Sequence, residues 1–184
     1  MRILPALAAA LSLLPVAQAR EVAGVALPDT AEVAGKTLAL NGAGIRKRFI
    51  VKVYVGALYL EARSSDPEAI VAADQAKAVR MHFLRNVEKE KVLGAFREGF
   101  EKNSRATAAA AAKQLEAVEK ALPAEVKQGQ VLVVAYAPGA GSTVGLEGGA
   151  SATVEGKDFA DALFRNWLGK EPADEGLKDG MLGK

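Results

Sequence analysis

The chain has 184 residues, 24 basic against 22 acidic, with one histidine and no cysteine. The near balance of charge leaves no clustered basic face of the kind that nucleic acid needs. The lack of cysteine removes disulfides, thiolate nucleophiles and sulfur-built zinc sites. Met1-Arg2, an Ala/Leu-rich run over 3–16 and the small residues of Ala17-Gln18-Ala19 read as a secretory signal cleaved before Arg20. That run is broken by Pro5 and Pro15 and is too short to span a bilayer comfortably. The expectation is one exported, periplasmic domain over 20–184, with no stable membrane span in it.

From Arg20 a Pro/Gly-punctuated lead carries scattered apolar residues, and 36–40 reads as a short strand. Asn41-Gly42-Ala43-Gly44 is then expected to turn the chain. Over 48–61 the alternation is long, with Phe49, Val51, Val53, Val55, Ala57 and Tyr59 opposite Ile50, Lys52, Tyr54, Gly56, Leu58 and Leu60. This predicts a strand with both faces largely covered. Ser64-Ser65-Asp66-Pro67 starts a brief helix ending near Ala73, and 78–84 alternates again as a strand.

The period then becomes helical, with Val87, Lys91, Val92, Ala95, Phe96, Gly99 and Phe100 forming a stripe. Asn103-Ser104 interrupts it, and a second helix runs to Leu122 before Pro123; its alanine run over 108–112 suits close packing. Strands at 130–136, 142–146 and 150–154, joined by glycine turns, predict a meander, and 157–168 a last helix bearing Phe159, Leu163, Phe164 and Trp167. The order predicts an α+β domain whose helices cover one face of a largely antiparallel sheet.

The glycine pairs at 42/44 and 139/141 invite a nucleotide reading, but a phosphate loop must run directly into a helix, and both lead into strands. His82 has no partner nucleophile nearby in sequence and reads as structural, and Glu88, Glu90, Glu98 and Glu101 fall on a charged, solvated helix face. No metal site or cofactor is expected. Arg46 is different, because it stands where a strand begins, beside Arg48, Lys52 and Tyr54 on the even-numbered face. A guanidinium there is a rigid fork able to hold a carboxylate or a phenolate.

The stretch "NGAGIRKRFIVKVYVGALYLEA" resembles the segment of chalcone isomerases in which a Gly-Ala-Gly-x-Arg motif precedes a strand ending in Tyr-Leu-Glu. The tail "GKDFADALFRNWLGKEPADEGLKDGMLG" is similar to that superfamily's last helix and lysine-bearing end. The resemblance implies the chalcone isomerase-like fold, an open-faced β-sandwich with helices over a large sheet and a ligand cleft between them. It implies two activities as well. Plant enzymes of the family close hydroxychalcones to flavanones without a cofactor, whereas related members bind fatty acids or act as non-catalytic accessory proteins.

Residue by residue, the resemblance puts Arg46 on the family's catalytic arginine and Tyr54 in the place of the active enzymes' threonine. Glu88 falls on a tyrosine, Ala95 on an asparagine, and Leu177 near the last hydroxyl residue of that site. Groups that orient a chalcone are thereby lost, so proficient cyclisation is not expected. The expected ligand is a small apolar anion such as a fatty acid, or a phenolic compound, held near Arg46, Arg48, Lys52 and Tyr54. The alternatives are an isomerase of the intramolecular lyase type, with Arg46 stabilising a developing enolate, and an interaction module with a filled cleft.

Overall fold

The computed structural model describes residues 20–184. The secretory-signal reading of residues 1–19 lies outside them. In chain order the elements are β1 (Arg20–Val22), β2 (Val25–Leu27), β3 (Thr30–Val33), β4 (Lys36–Arg48), β5 (Val51–Leu60), α1 (Pro67–Ala72), β6 (Lys77–Phe83) and β7 (Val87–Glu88). There follow α2 (Lys89–Asn103), α3 (Ala108–Ala121), β8 (Glu125–Val126), β9 (Val131–Ala137), β10 (Gly141–Leu146), β11 (Ser151–Val154), α4 (Lys157–Leu168) and α5 (Glu175–Met181). Seven strands make one antiparallel sheet in the order β11-β10-β9-β6-β5-β4-β3, and β1-β2 and β7-β8 form separate two-stranded ladders.

The alternation along β5 sorts its side chains into two cores. Tyr54, Leu58 and Leu60 face the helices, packing with Phe96 and Phe100 of α2, Leu115 and Val118 of α3 and Phe159, Leu163, Phe164 and Trp167 of α4. Val55, Ala57 and Tyr59 face the other way, against Leu27, Val33, Leu38 and Ala78. On that second side the Tyr59 hydroxyl donates to the Pro28 carbonyl at 3.0 Å. The sheet is thus a helix-covered layer with a thinner second cover, the open-faced sandwich that the resemblance implies.

α1 begins as its sequence predicts: the Asp66 carboxylate accepts from the amides of Glu68 and Ala69, with Pro67 in the first turn. Its other end is closed by Lys77, buried to 2 % exposure, whose Nζ donates to the carbonyls of Ile70, Val71 and Ala73 at 2.7, 3.0 and 2.8 Å. An ammonium at the negative end of a helix is favourable.

Asn41-Gly42-Ala43-Gly44 does not turn the chain; it lies inside the 13-residue strand β4. The turn is Phe49-Ile50, the two residues between Arg48 and Val51, which pair with each other. The glycines serve another purpose. α5 crosses β4 so closely that a Cβ on Gly42 would overlap the Gly180 carbonyl oxygen and lie 2.7 Å from that of Met181. One on Gly44 would sit 2.9 Å from the Leu177 Cα, and one on Gly180 would sit 2.5 Å from the Ala43 oxygen. Glycine on both partners lets two backbones meet. α5 and the two-residue strands β7 and β8 escape the sequence reading because each is too short to display a period.

Candidate functional site

A cavity of about 640 Å³ opens where the β4–β5 hairpin overhangs α2, within the size range of small-molecule sites. Its floor is buried and apolar: Met81 and Phe83 from β6, Val92 and Phe96 from α2, and Trp167 from α4. The aromatic rings are set against one another, Tyr54 and Phe83 tilted at 5.7 Å between centroids and Phe96 and Trp167 edge-on at 5.9 Å. The rim is cationic, with Arg46 half-buried and the other cations exposed. Arg46, Arg48, Arg85 and Lys91 are in the lining, which contains no carboxylate.

Arg46 and Tyr54 are directly opposite each other on β4 and β5, which puts both side chains on the helix-facing side of the sheet. Tyr54 is buried, and its hydroxyl accepts a hydrogen bond from the Trp167 indole N–H at 2.9 Å. That contact uses the oxygen's lone pair and leaves the phenolic proton free to be donated. Burial pushes the Tyr54 phenol up to about 12; the Arg46 charge and the Trp167 bond pull against this, and the Asp174 carboxylate adds to it. The group therefore remains a neutral donor at physiological pH. No carboxylate among the described residues lies within ion-pair distance of the Arg46 guanidinium.

Two neighbours hold this pair in place. A bulge between Arg46 and Lys47 re-aims the strand end. The Asp174 carboxylate caps α5 through the Leu177 amide at 2.9 Å and accepts from the Lys47 amide at 3.0 Å, joining that helix to the bulge. Leu177 itself is fully buried against Gly44 and Gly56.

Of the residues singled out from sequence, Arg46, Arg48, Tyr54 and Ala95 line the cavity, and Lys52, Glu88 and Leu177 do not. Lys52 is exposed, and past the bulge it is Val51 and Val53 that join the lining. Glu88 points its carboxylate to Lys91 at 3.1 Å on the exposed rim. Leu177 is occupied in seating α5. Helical and strand periodicity does not mark Trp167, Asn166, Phe83, Arg85 or Asn86 as site residues, yet all are in the lining. An indole N–H that must find an acceptor when buried was the available signal for Trp167. His82 is remote: it pairs across Val55 on the opposite face of the sheet, where burial holds its pKa below the usual value. Among the described residues no cluster of three His, Cys, Asp or Glu could hold a metal, and no helix is long and apolar enough to cross a membrane.

Residues 19–183 match the family model described as chalcone isomerase-like. The chain belongs to the chalcone isomerase-like family. Among solved structures, a fatty-acid binding protein of Arabidopsis thaliana superposes with a TM-score of 0.65 at 15 % identity, over 86 % of this chain and 92 % of that one. At that identity the likeness is one of fold. No curated protein matches the sequence. In this member of the chalcone isomerase-like family the polar groups around the cavity are few: the cationic rim, the Tyr54 hydroxyl and the side-chain amides of Asn86 and Asn166.

Proposed function

We propose that the protein binds a small amphipathic anion in this cavity, a fatty acid above all, and does not transform it. One observation carries the reading: Arg46 and Tyr54 stand as a cross-strand pair beside an apolar, aromatic floor, with the guanidinium free of any carboxylate and the phenolic proton unspent. A carboxylate placed there would take charge-assisted hydrogen bonds from the arginine and one from the phenol, while its hydrocarbon body replaces water over Phe83, Phe96 and Met81. The Arabidopsis neighbour, itself a fatty-acid binding protein, supports this choice of ligand class.

Cyclisation of a chalcone asks more of a site, since the carbonyl and the hydroxyls must be oriented while charge moves. Ala95 has no hydrogen-bonding group to offer, and Glu88 is turned to Lys91 outside the lining. Tyr54, held neutral, is no base. Turnover of naringenin chalcone is expected near background.

Titration of a fluorescent fatty acid into wild type, Arg46→Ala and Arg46→Lys tests the proposal. Removing the charge-assisted pair is expected to cost about 1.5–3 kcal/mol, roughly ten- to 150-fold in affinity. Lysine should restore only part, because a point charge does not reproduce the fork. Equal affinity in wild type and Arg46→Ala would refute the role given to this arginine.

A further inference from the structure

Phe49, Ile50 and Val51 are the large hydrophobic residues left exposed among the described residues, at 92 %, 95 % and 39 %, and all three sit at the tip of the β4–β5 hairpin. Consecutive exposed apolar side chains are a liability for solubility unless they meet something. The fold does not ask for them. A two-residue hairpin turn favours glycine or asparagine at its left-handed position, and here Phe49 holds φ at +56°, a conformation costly for a bulky residue. The chain tolerates a strained turn and forgoes a polar one at its most protruding point.

The surroundings indicate what the tip meets. Lys47, Arg48 and Lys52 flank it and are exposed, with no acidic residue between Arg46 and Leu60. Asp174 accepts from the backbone amides of Lys47 and Leu177, Glu98 holds Lys102 at 2.7 Å, and no carboxylate among the described residues is ion-paired with Lys47, Arg48 or Lys52. An apolar point inside a cationic collar matches the layering of an anionic bilayer, with hydrocarbon beyond the headgroup phosphates. A prong two residues wide is a poor protein interface, which needs on the order of 1,000 Å² with shape complementarity.

We propose that the Phe49-Ile50 tip docks this protein on an anionic lipid surface, apolar side chains inserted and Lys47, Arg48 and Lys52 against the headgroups. Arg48, Phe49 and Val51 also line the cavity, so docking sets the cavity mouth against the bilayer. The docking itself does not depend on what the cavity holds. Only the consequence that an amphipathic ligand passes between bilayer and cavity without crossing water rests on the proposed function.

Co-sedimentation with vesicles of equal parts phosphatidylglycerol and phosphatidylcholine, against pure phosphatidylcholine, provides the test. Wild type is expected to sediment with the anionic vesicles, less so at high salt. Ile50→Ser, at a side chain outside the cavity lining, should weaken this by about ten- to a hundredfold, with melting temperature and fatty-acid affinity in solution unchanged. Lys52→Gln should weaken it several-fold at low salt only. Failure of wild type to sediment with either vesicle, which would leave the tip to a protein partner, overturns the proposal; so does Ile50→Ser sedimenting like wild type, or wild type sedimenting equally with both vesicles. A wild type that sediments normally but binds no fatty acid would instead refute the ligand reading and leave docking standing.

Discussion

Gly42→Ala tests how α5 is held. The backbone at Gly42 is not in the left-handed region, so alanine meets no conformational penalty and the effect is steric. Its Cβ would lie 2.7 Å from the Met181 oxygen and closer still to that of Gly180, whereas ordinary contact begins at 3.4 Å. Both obstacles are backbone and have no rotamer to change, so α5 must withdraw by more than about 0.7 Å. If the helix slides, the cost is that of overpacking, about 1–3 kcal/mol. If it detaches, Leu177, Met181 and Leu182, now 0 %, 0 % and 4 % exposed, lose their burial, each worth roughly 1.5–3 kcal/mol. The chain will take the cheaper course, so about 2–3 kcal/mol is expected in urea unfolding. Hydrogen exchange at the amides of 177–182 should quicken. Gly94→Ala is the control: nothing stands within 4 Å of its Cβ, and inside helix α2 alanine should add up to about 1 kcal/mol. Gly42→Ala within about 0.5 kcal/mol of wild type, with α5 amides equally protected, would refute the argument.

Tyr54→Phe keeps the ring and removes the acceptor of the buried Trp167 N–H, so a loss of about 1–3 kcal/mol in stability is expected. The chain has one tryptophan, so its emission reports the change directly; unaltered stability would show that the indole was never dependent on this bond. Alkaline pH should act in two opposite steps. Lys77 is lowered to about 8 by burial first and by repulsion from Lys157 second, so between about pH 8 and 10.5 the unfolded chain holds the extra proton and stability rises with pH. Tyr54, Tyr59 and Tyr136, the protein's three tyrosines, are pushed up to about 12, the first two chiefly by burial and Tyr136 by its hydrogen bond to Asp74. Above about pH 10 the unfolded chain loses protons that the folded one keeps, and stability falls. The melting temperature should therefore climb and then drop, the climb being absent in Lys77→Met; phenolate absorbance appearing near pH 10 in the folded protein would refute the second step.

Where one face of an element is buried and the other wet, its burial is written into the order of its residues. For that reason the strand at 48–61, the meander after Gly129 and the three long helices were legible in the sequence, with boundaries displaced by a residue or a few. Arg46 was legible too, as a cation within a family motif, although it lies near the end of β4 and not at the start of the next strand, and its partnership with Tyr54 across the ladder depends on register. The turn at Phe49-Ile50 was not legible, because large apolar residues stand where local chemistry calls for glycine or asparagine.

What the sequence determined by itself is what local periodicity and composition can carry: an α+β chain, its strand and helix succession, and the absence of cysteine chemistry. Only the tertiary structure decided why Gly42 and Gly44 are glycines, since a missing Cβ has meaning only through the helix that approaches it. Likewise the cavity joins Tyr54 to Trp167 across 113 residues of chain. A hydrogen bond between such distant residues leaves no local period, because it is set by how sheet and helices pack and not by the neighbours of either residue.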